Sequence, residues 1–191
     1  RDTAHEERGA KAAPTSRHGW REFIDAGGRF RCLVPEGYDI IQRESASRSK
    51  VDFKGKGIES SVLVGDVRTH DVGQREVDEL VFVIKHLPDK PNVVDARVCF
   101  IDGCKAASVT ATLTHVGSRV TTRAVKYNKY GYDHMINFTG DAGGFREAAQ
   151  QIEQFLQSFR SISREAQARW SAEKPFISRV SAFSGGGPDL C

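Results

Sequence analysis

The chain predicts an α+β fold: an antiparallel β-sheet meander with amphipathic helices packed on it. Three observations carry this. The dipeptide Asp102-Gly103 separates two runs rich in strand-forming residues, and Asp-Gly readily takes the positive φ angles of a type I′ hairpin turn. Val77, Leu80, Val81, Ile84 and Leu87 recur at helical spacing, and Pro88 ends the run. Phe145, Ala148, Ala149, Ile152, Phe155, Leu156 and Phe159 repeat that spacing over roughly four turns, which predicts a closing helix with an apolar stripe.

In chain order, residues 1–27 read as an extended N-terminal arm, because charges of both signs mix with Ala, Gly, Pro and Thr without an apolar period. A short apolar patch from Trp20 to Ile24 precedes Gly27-Gly28. Phe30, Cys32 and Val34 then alternate with Arg29, Arg31 and Leu33, which predicts a first strand ending at the corner Pro35-Glu36-Gly37-Tyr38. Ser49 to Phe53 and Ser60 to Val67 predict a hairpin around the turn at 54–57, with Val62 and Val64 on one face. After the first helix, strands are expected over 94–101, 104–113, 119–127 and 132–138, each joined to the next by a short Gly-containing turn. The core domain spans 28–160. Residues 161–191 read as a C-terminal extension, since the pattern dissolves into Ser, Arg and Glu before the run Ser184-Gly185-Gly186-Gly187-Pro188.

Bulk composition excludes several classes. The 191 residues, with 39% hydrophobic and 28% charged, suit one domain with a real core. No stretch reaches the roughly 18 to 20 apolar residues that cross a bilayer as a helix, so the protein is expected to be soluble or peripheral to a membrane. A chain beginning at Arg1 without a leader suggests either a cleaved targeting segment or a fragment of a longer chain, and a processed, imported protein is the expectation. Net charge is +3, too small to argue for nucleic acid, and the basic stretches lack the aromatic pairs of an RNA-binding sheet. The cations cluster at Arg43, Arg48, Lys50, Lys54 and Lys56, and again at Arg119, Arg123, Lys126 and Lys129. Solvated strand edges explain such clusters. A docking face for an acidic partner explains them too, with Arg119 and Arg123 on one strand face.

Motifs for catalysis are absent. No G-x-S-x-G elbow, paired-histidine metal motif or phosphate-binding glycine loop occurs. Cys32, Cys99, Cys104 and Cys191 lack zinc spacing, and buried free thiols are expected, although Cys99 and Cys104 straddle a turn where a disulfide is geometrically open. The one weak candidate for a divalent cation is Asp66, His70 and Asp71, against which stands a capping role for Asp71 ahead of the first helix. His134 shares a strand face with Tyr132, Ile136 and Phe138 and reads as a hydrogen-bonded core residue. Trp20, Trp170, Phe176 and Phe183 are isolated aromatics in the two extensions, suited to anchoring on neighbours.

The stretch FRCLVPEGYDI at 30–40 resembles the opening strand and corner of PsbP-domain proteins. SVLVGDVRTHDVG at 61–73 is similar to that family's central strand and helix lead-in, IDGCKAASVTATL at 101–113 to its hairpin, and FREAAQQIEQFLQSFR at 145–160 to its closing helix. Coverage is about residues 28–160. Tyr38 stands where Trp is usual, and the arm and tail differ, so the resemblance implies a PsbP-like relative and carries over no metal ligands. That fold also serves a nuclear Ran-release factor and bacterial envelope proteins.

The resemblance implies a non-enzymatic extrinsic subunit that docks on protein subunits of a large membrane complex, photosynthetic by family, and stabilises it. It implies the thylakoid lumen, with the mitochondrion or bacterial periplasm as alternatives. No cofactor of its own is expected beyond a weakly bound divalent cation. An independent soluble binding module is the alternative reading, and an enzyme assembled from distant residues is the third.

Overall fold

The computed structural model describes residues 19–45, 48–66, 71–115 and 117–173. Their fold is α+β, with ten strands in two antiparallel sheets and four helices. The smaller sheet has the order β1-β2-β10, from Trp20–Ile24, Phe30–Pro35 and Arg160–Ser161. The larger has the order β3-β4-β5-β9-β8-β7-β6. Its strands are β3 (Asp39–Glu44), β4 (Arg48–Gly55), β5 (Ile58–Asp66), β6 (Asn92–Ile101), β7 (Cys104–His115), β8 (Ser118–Lys129) and β9 (Tyr132–Asp141).

The meander from β6 to β9 forms as expected. Its turns are set by local chemistry: Asp102 and Gly103 have φ of 51° and 75°, and Tyr130 and Gly131 have 55° and 79°. Strand alternation then sorts side chains to two faces. On the inner face Val51, Phe53, Val62, Val64, Val125, Tyr127, Ile136 and Phe138 form one core. Phe30, Cys32 and Val34 of the small sheet join it, as do Ile152, Phe155 and Leu156 of helix α3 (Ala149–Ser158) and Phe159 just beyond that helix. On the outer face helix α1 (Gln74–Lys85) lays Val77, Leu80 and Ile84 on Ala107, Val109 and Ala111 of β7.

Four features depart from expectation. Trp20–Ile24, placed in the arm, is a strand paired with β2 from Trp20↔Pro35 to Ile24↔Arg31. Asp39–Glu44 is an additional edge strand on β4. The closing helix is two pieces, α2 (Ala142–Glu147) and α3, interrupted at Ala148, where ψ is 0°. α2 lies on β8 and β9, while α3 lies on β2 and also reaches the large sheet, where Phe155 meets Phe138 edge-on at 5.5 Å. Ala149, expected on the apolar stripe, is exposed. Finally, Arg164–Glu173 forms helix α4 within the expected C-terminal extension.

Close approach explains two glycines. A side chain on Gly140 or Gly144 would run into the Gly57 carbonyl of the β4–β5 turn. Those glycines let the turn, β9 and α2 meet.

Candidate functional site

Helix α1 packs on β6 and β7 and leaves the same face open across β3, β4 and β5. Ile41 and Leu63 stand there more than a third exposed. Around them register places cations. Arg43 lies directly opposite Lys50, a like-charge pair that costs stability by itself. Asp52, half-buried, offsets it by pairing with both at 3.1 Å. Arg48, exposed on the same strand face two residues before Lys50, has no ionic partner among the described residues. Two cations thus share one carboxylate at this corner, with a third exposed beside them next to apolar surface.

The second basic stretch does not form a comparable patch. Arg119 and Arg123 do share a face, as expected, and Arg119 is exposed. Arg123, however, is drawn inward: its side chain is 12% exposed, its Nε donates to Ser108 Oγ at 3.1 Å, and its guanidinium pairs with Glu153 of α3. Lys126 lies on the opposite face and pairs with Asp133 at 3.8 Å. Lys129 turns to the hairpin tip, donating to Asp102 Oδ2 at 2.8 Å and to its carbonyl at 2.7 Å. Where alternation expects Arg123 to face acidic loops of a partner, its side chain instead lies against α3 and is little exposed. Alternation assigned the strand face correctly but could not show that α3 lies over it.

Among the expected aromatic anchors, Trp20 is half-buried within β1. Trp170 falls in α4 with its side chain outside the described residues, where Phe176, Phe183 and Cys191 also lie. The candidate cation set is described only in part. Asp66 accepts from Arg164 at 3.0 Å, and His70 lies outside the described residues. Asp71 does not cap α1: the N-cap is Gly73, whose N–H donates to Glu76 at 2.7 Å. No group of three acidic, His or Cys side chains that could hold a metal occurs among the described residues. Cys32, Cys99 and Cys104 are free thiols, Cys32 buried with its pKa pushed well up by burial.

His134 is fully buried, as its strand face implied, and its ring stacks on Tyr127 at 4.5 Å. Its Nε2 meets Ser161 Oγ at 3.1 Å, and Tyr127 Oη meets the same hydroxyl at 2.8 Å. The Ser161 N–H donates to Asp102 Oδ2 at 2.9 Å, and Arg160 approaches Asp102 at 3.7 Å. This is a Ser–His contact without the orienting carboxylate of a hydrolase triad, since Asp102 grips the Ser161 backbone and His134 Nδ1 has no hydrogen-bond partner among the described residues. Burial lowers the His134 pKa to about 4, which also makes it a poor base near neutrality. The network fastens β10 to the large sheet. Sequence could mark His134 but not Ser161, which lies in a polar run without periodicity.

A cleft of about 630 Å³ opens between the β6–β7 hairpin and α3, with Arg97, Arg123 and Arg160 on its walls. Each guanidinium already faces a carboxylate, Asp95, Glu153 and Asp102 respectively. The cleft therefore makes little demand for an anionic ligand.

No family model matches the sequence, and no curated protein matches it. Solved structures do. Cyanobacterial PsbP from Synechocystis superposes with a TM-score of 0.58 at 12% identity, covering 79% of this chain and 97% of that one. The Ran-binding protein Mog1p of Saccharomyces cerevisiae gives 0.52 at 10% identity, over 77% and 97%. A protein of Bacteroides thetaiotaomicron gives 0.53 at 12% identity, over 75% of this chain and 49% of that one, so the chain spans about half its length. Identity this low speaks to architecture alone. The chain has the fold shared by PsbP and Mog1p.

Proposed function

We propose that this protein is a non-enzymatic binding subunit that docks through the open corner of its large sheet onto an acidic surface of a larger assembly. The observation that supports this is the exposed Arg43–Lys50 like-charge pair, bridged by Asp52, with Arg48 beside it and Ile41 and Leu63 on the flanking strands. A fold selected for stability alone gains nothing from setting two cations opposite each other on an exposed face. An acidic partner turns that cost into complementarity, and the apolar pair supplies the desolvated centre.

The finer reading is an extrinsic accessory subunit, peripheral to a membrane complex and photosynthetic by likeness to cyanobacterial PsbP, working in the thylakoid lumen without a cofactor of its own. Likeness to a Ran-binding protein supports a second reading, an independent soluble module that binds a protein partner. Washing native membranes with rising salt separates them. Co-migration with a large complex at low salt, with release at high salt and loss of part of that complex's stability, supports the first. Recovery wholly in the soluble fraction at low salt refutes it and favours the second. Arg43→Glu with Lys50→Glu should release the protein at low salt while leaving its melting cooperative.

A further inference from the structure

Exposed apolar surface concentrates at one edge of the molecule. Of nine large apolar side chains left exposed among the described residues, five lie there: Phe82, Val83 and Leu87 on or just past α1, and Val94 and Phe100 on β6. Phe100 is 70% exposed and Phe82 64%. β6 is the last strand in the sheet order, so one side of its ten-residue backbone has no strand neighbour among the described residues. An open edge flanked by apolar side chains is a template for another strand. The opposite edge, β3, is only six residues long and carries Asp39, Arg43 and Glu44, which discourage pairing.

We infer that β6 is a self-association edge, on which a second copy of this chain pairs antiparallel about a two-fold axis through Ala96. Charge pattern selects this occupant and this register. The charged side chains of β6 are Asp95 and Arg97, which flank Ala96, point to one face, pair with each other at 3.4 Å within the chain, and remain exposed enough, at 42% and 59%, to meet a second copy as well. About an axis on Ala96, Asp95 of each copy stands opposite Arg97 of the other, so the opposite-charge pair is made twice. Moving the axis one residue either way sets Asp95 against Asp95 or Arg97 against Arg97, and like charges directly opposite are disfavoured. The strand is thus self-complementary in one register and self-repelling in the adjacent ones.

The β-bulge between Val93 and Asp95 bounds the ladder at both ends and keeps it short. The association is therefore reversible, with the apolar side chains beside the ladder supplying much of the contact. It uses none of the Arg43–Lys50 corner and stands or falls separately from the docking proposed there.

Sedimentation equilibrium of the full chain from micromolar to millimolar concentration tests it. Wild type should pass from monomer to dimer. Asp95→Arg should weaken dimerisation by about tenfold or more, because two attractive pairs become two repulsive ones. Asp95→Arg with Arg97→Asp should restore it, because the swapped pair is again complementary. Both side chains are solvent-facing, and melting followed by circular dichroism would verify folding of each variant. A protein that stays monomeric throughout overturns the inference and leaves β6 to a strand of another chain. A dimer indifferent to Asp95→Arg, or one that the double swap does not restore, overturns it in favour of a different surface.

Discussion

Acid should destabilise this fold through His134 in a way that a single replacement removes. The ring is fully buried, stacked on Tyr127 of β8 and hydrogen-bonded to Ser161 of β10. Tyr132 of its own strand contacts it edge-on, and Asp102 and Lys129 set the nearby charge. Burial holds the folded pKa at about 4 against a reference value of 6.5, so the neutral ring is the form that fits. The unfolded chain takes up the proton as pH falls through 6.5, while the folded chain waits until about 4. Between those values the unfolded state binds more protons, and stability falls as pH falls. Integration gives a loss of about 2 kcal/mol between pH 7 and pH 5, approaching about 3 kcal/mol below pH 4. His134→Gln keeps a hydrogen-bonding group toward Ser161 but does not titrate. Urea unfolding at pH 7, 6 and 5 should therefore show the variant less stable at pH 7, from lost stacking, with the gap closing by about 2 kcal/mol at pH 5. The other titrating groups are common to both proteins and cancel in the difference. A gap that stays constant across pH would refute the assignment of the acid loss to His134.

Other tests read the core and the site. Phe159→Ala removes a fully buried ring stacked on Phe30 at 4.9 Å and should cost about 3 to 5 kcal/mol in urea unfolding. Gly144→Ala should lower stability by about 1 to 3 kcal/mol, because the added methyl meets the Gly57 backbone, and Gly19→Ala, which has open space around it, should cost only the smaller positive-φ penalty. Arg43→Gln should leave stability within about 0.5 kcal/mol of wild type, or raise it, while weakening retention on membranes. In native protein, a thiol reagent should modify Cys99 and Cys104 before Cys32, and Cys32 only on unfolding.

What could be read from the sequence divides by whether the signal was local. The β6–β9 meander was legible because Asp102-Gly103 and the residues around Tyr130-Gly131 encode their own turns. Helix α1 was legible because its stripe is complete within one element. β3 was missed because an edge strand facing solvent needs little apolar pattern, and DIIQRE supplies almost none. α4 was missed for a related reason, since REAQARWSAE lacks an apolar period. The split at Ala148 was invisible because both pieces keep the same helical spacing across it. For the site, composition identified the cations, whereas sorting Arg43, Arg48 and Lys50 from Arg123 and Lys129 required strand register and the position of α3.

The central strand of the small sheet has a consequence for the timing of folding. β2 is bordered on one side by the nearby β1, but on the other by β10, and its Leu33 N–H bonds to Ser158 Oγ, 125 residues further along the chain. During synthesis at ~5–20 residues per second, that partner arrives roughly 6 to 25 seconds after β2 has been made. Throughout that interval Phe30, Cys32 and Val34 lack α3 and Phe159 as a cover, and one strand edge stays open. The first strand pair is therefore the segment a chaperone would have most reason to hold, and a chain cut short before Arg160 would never close it.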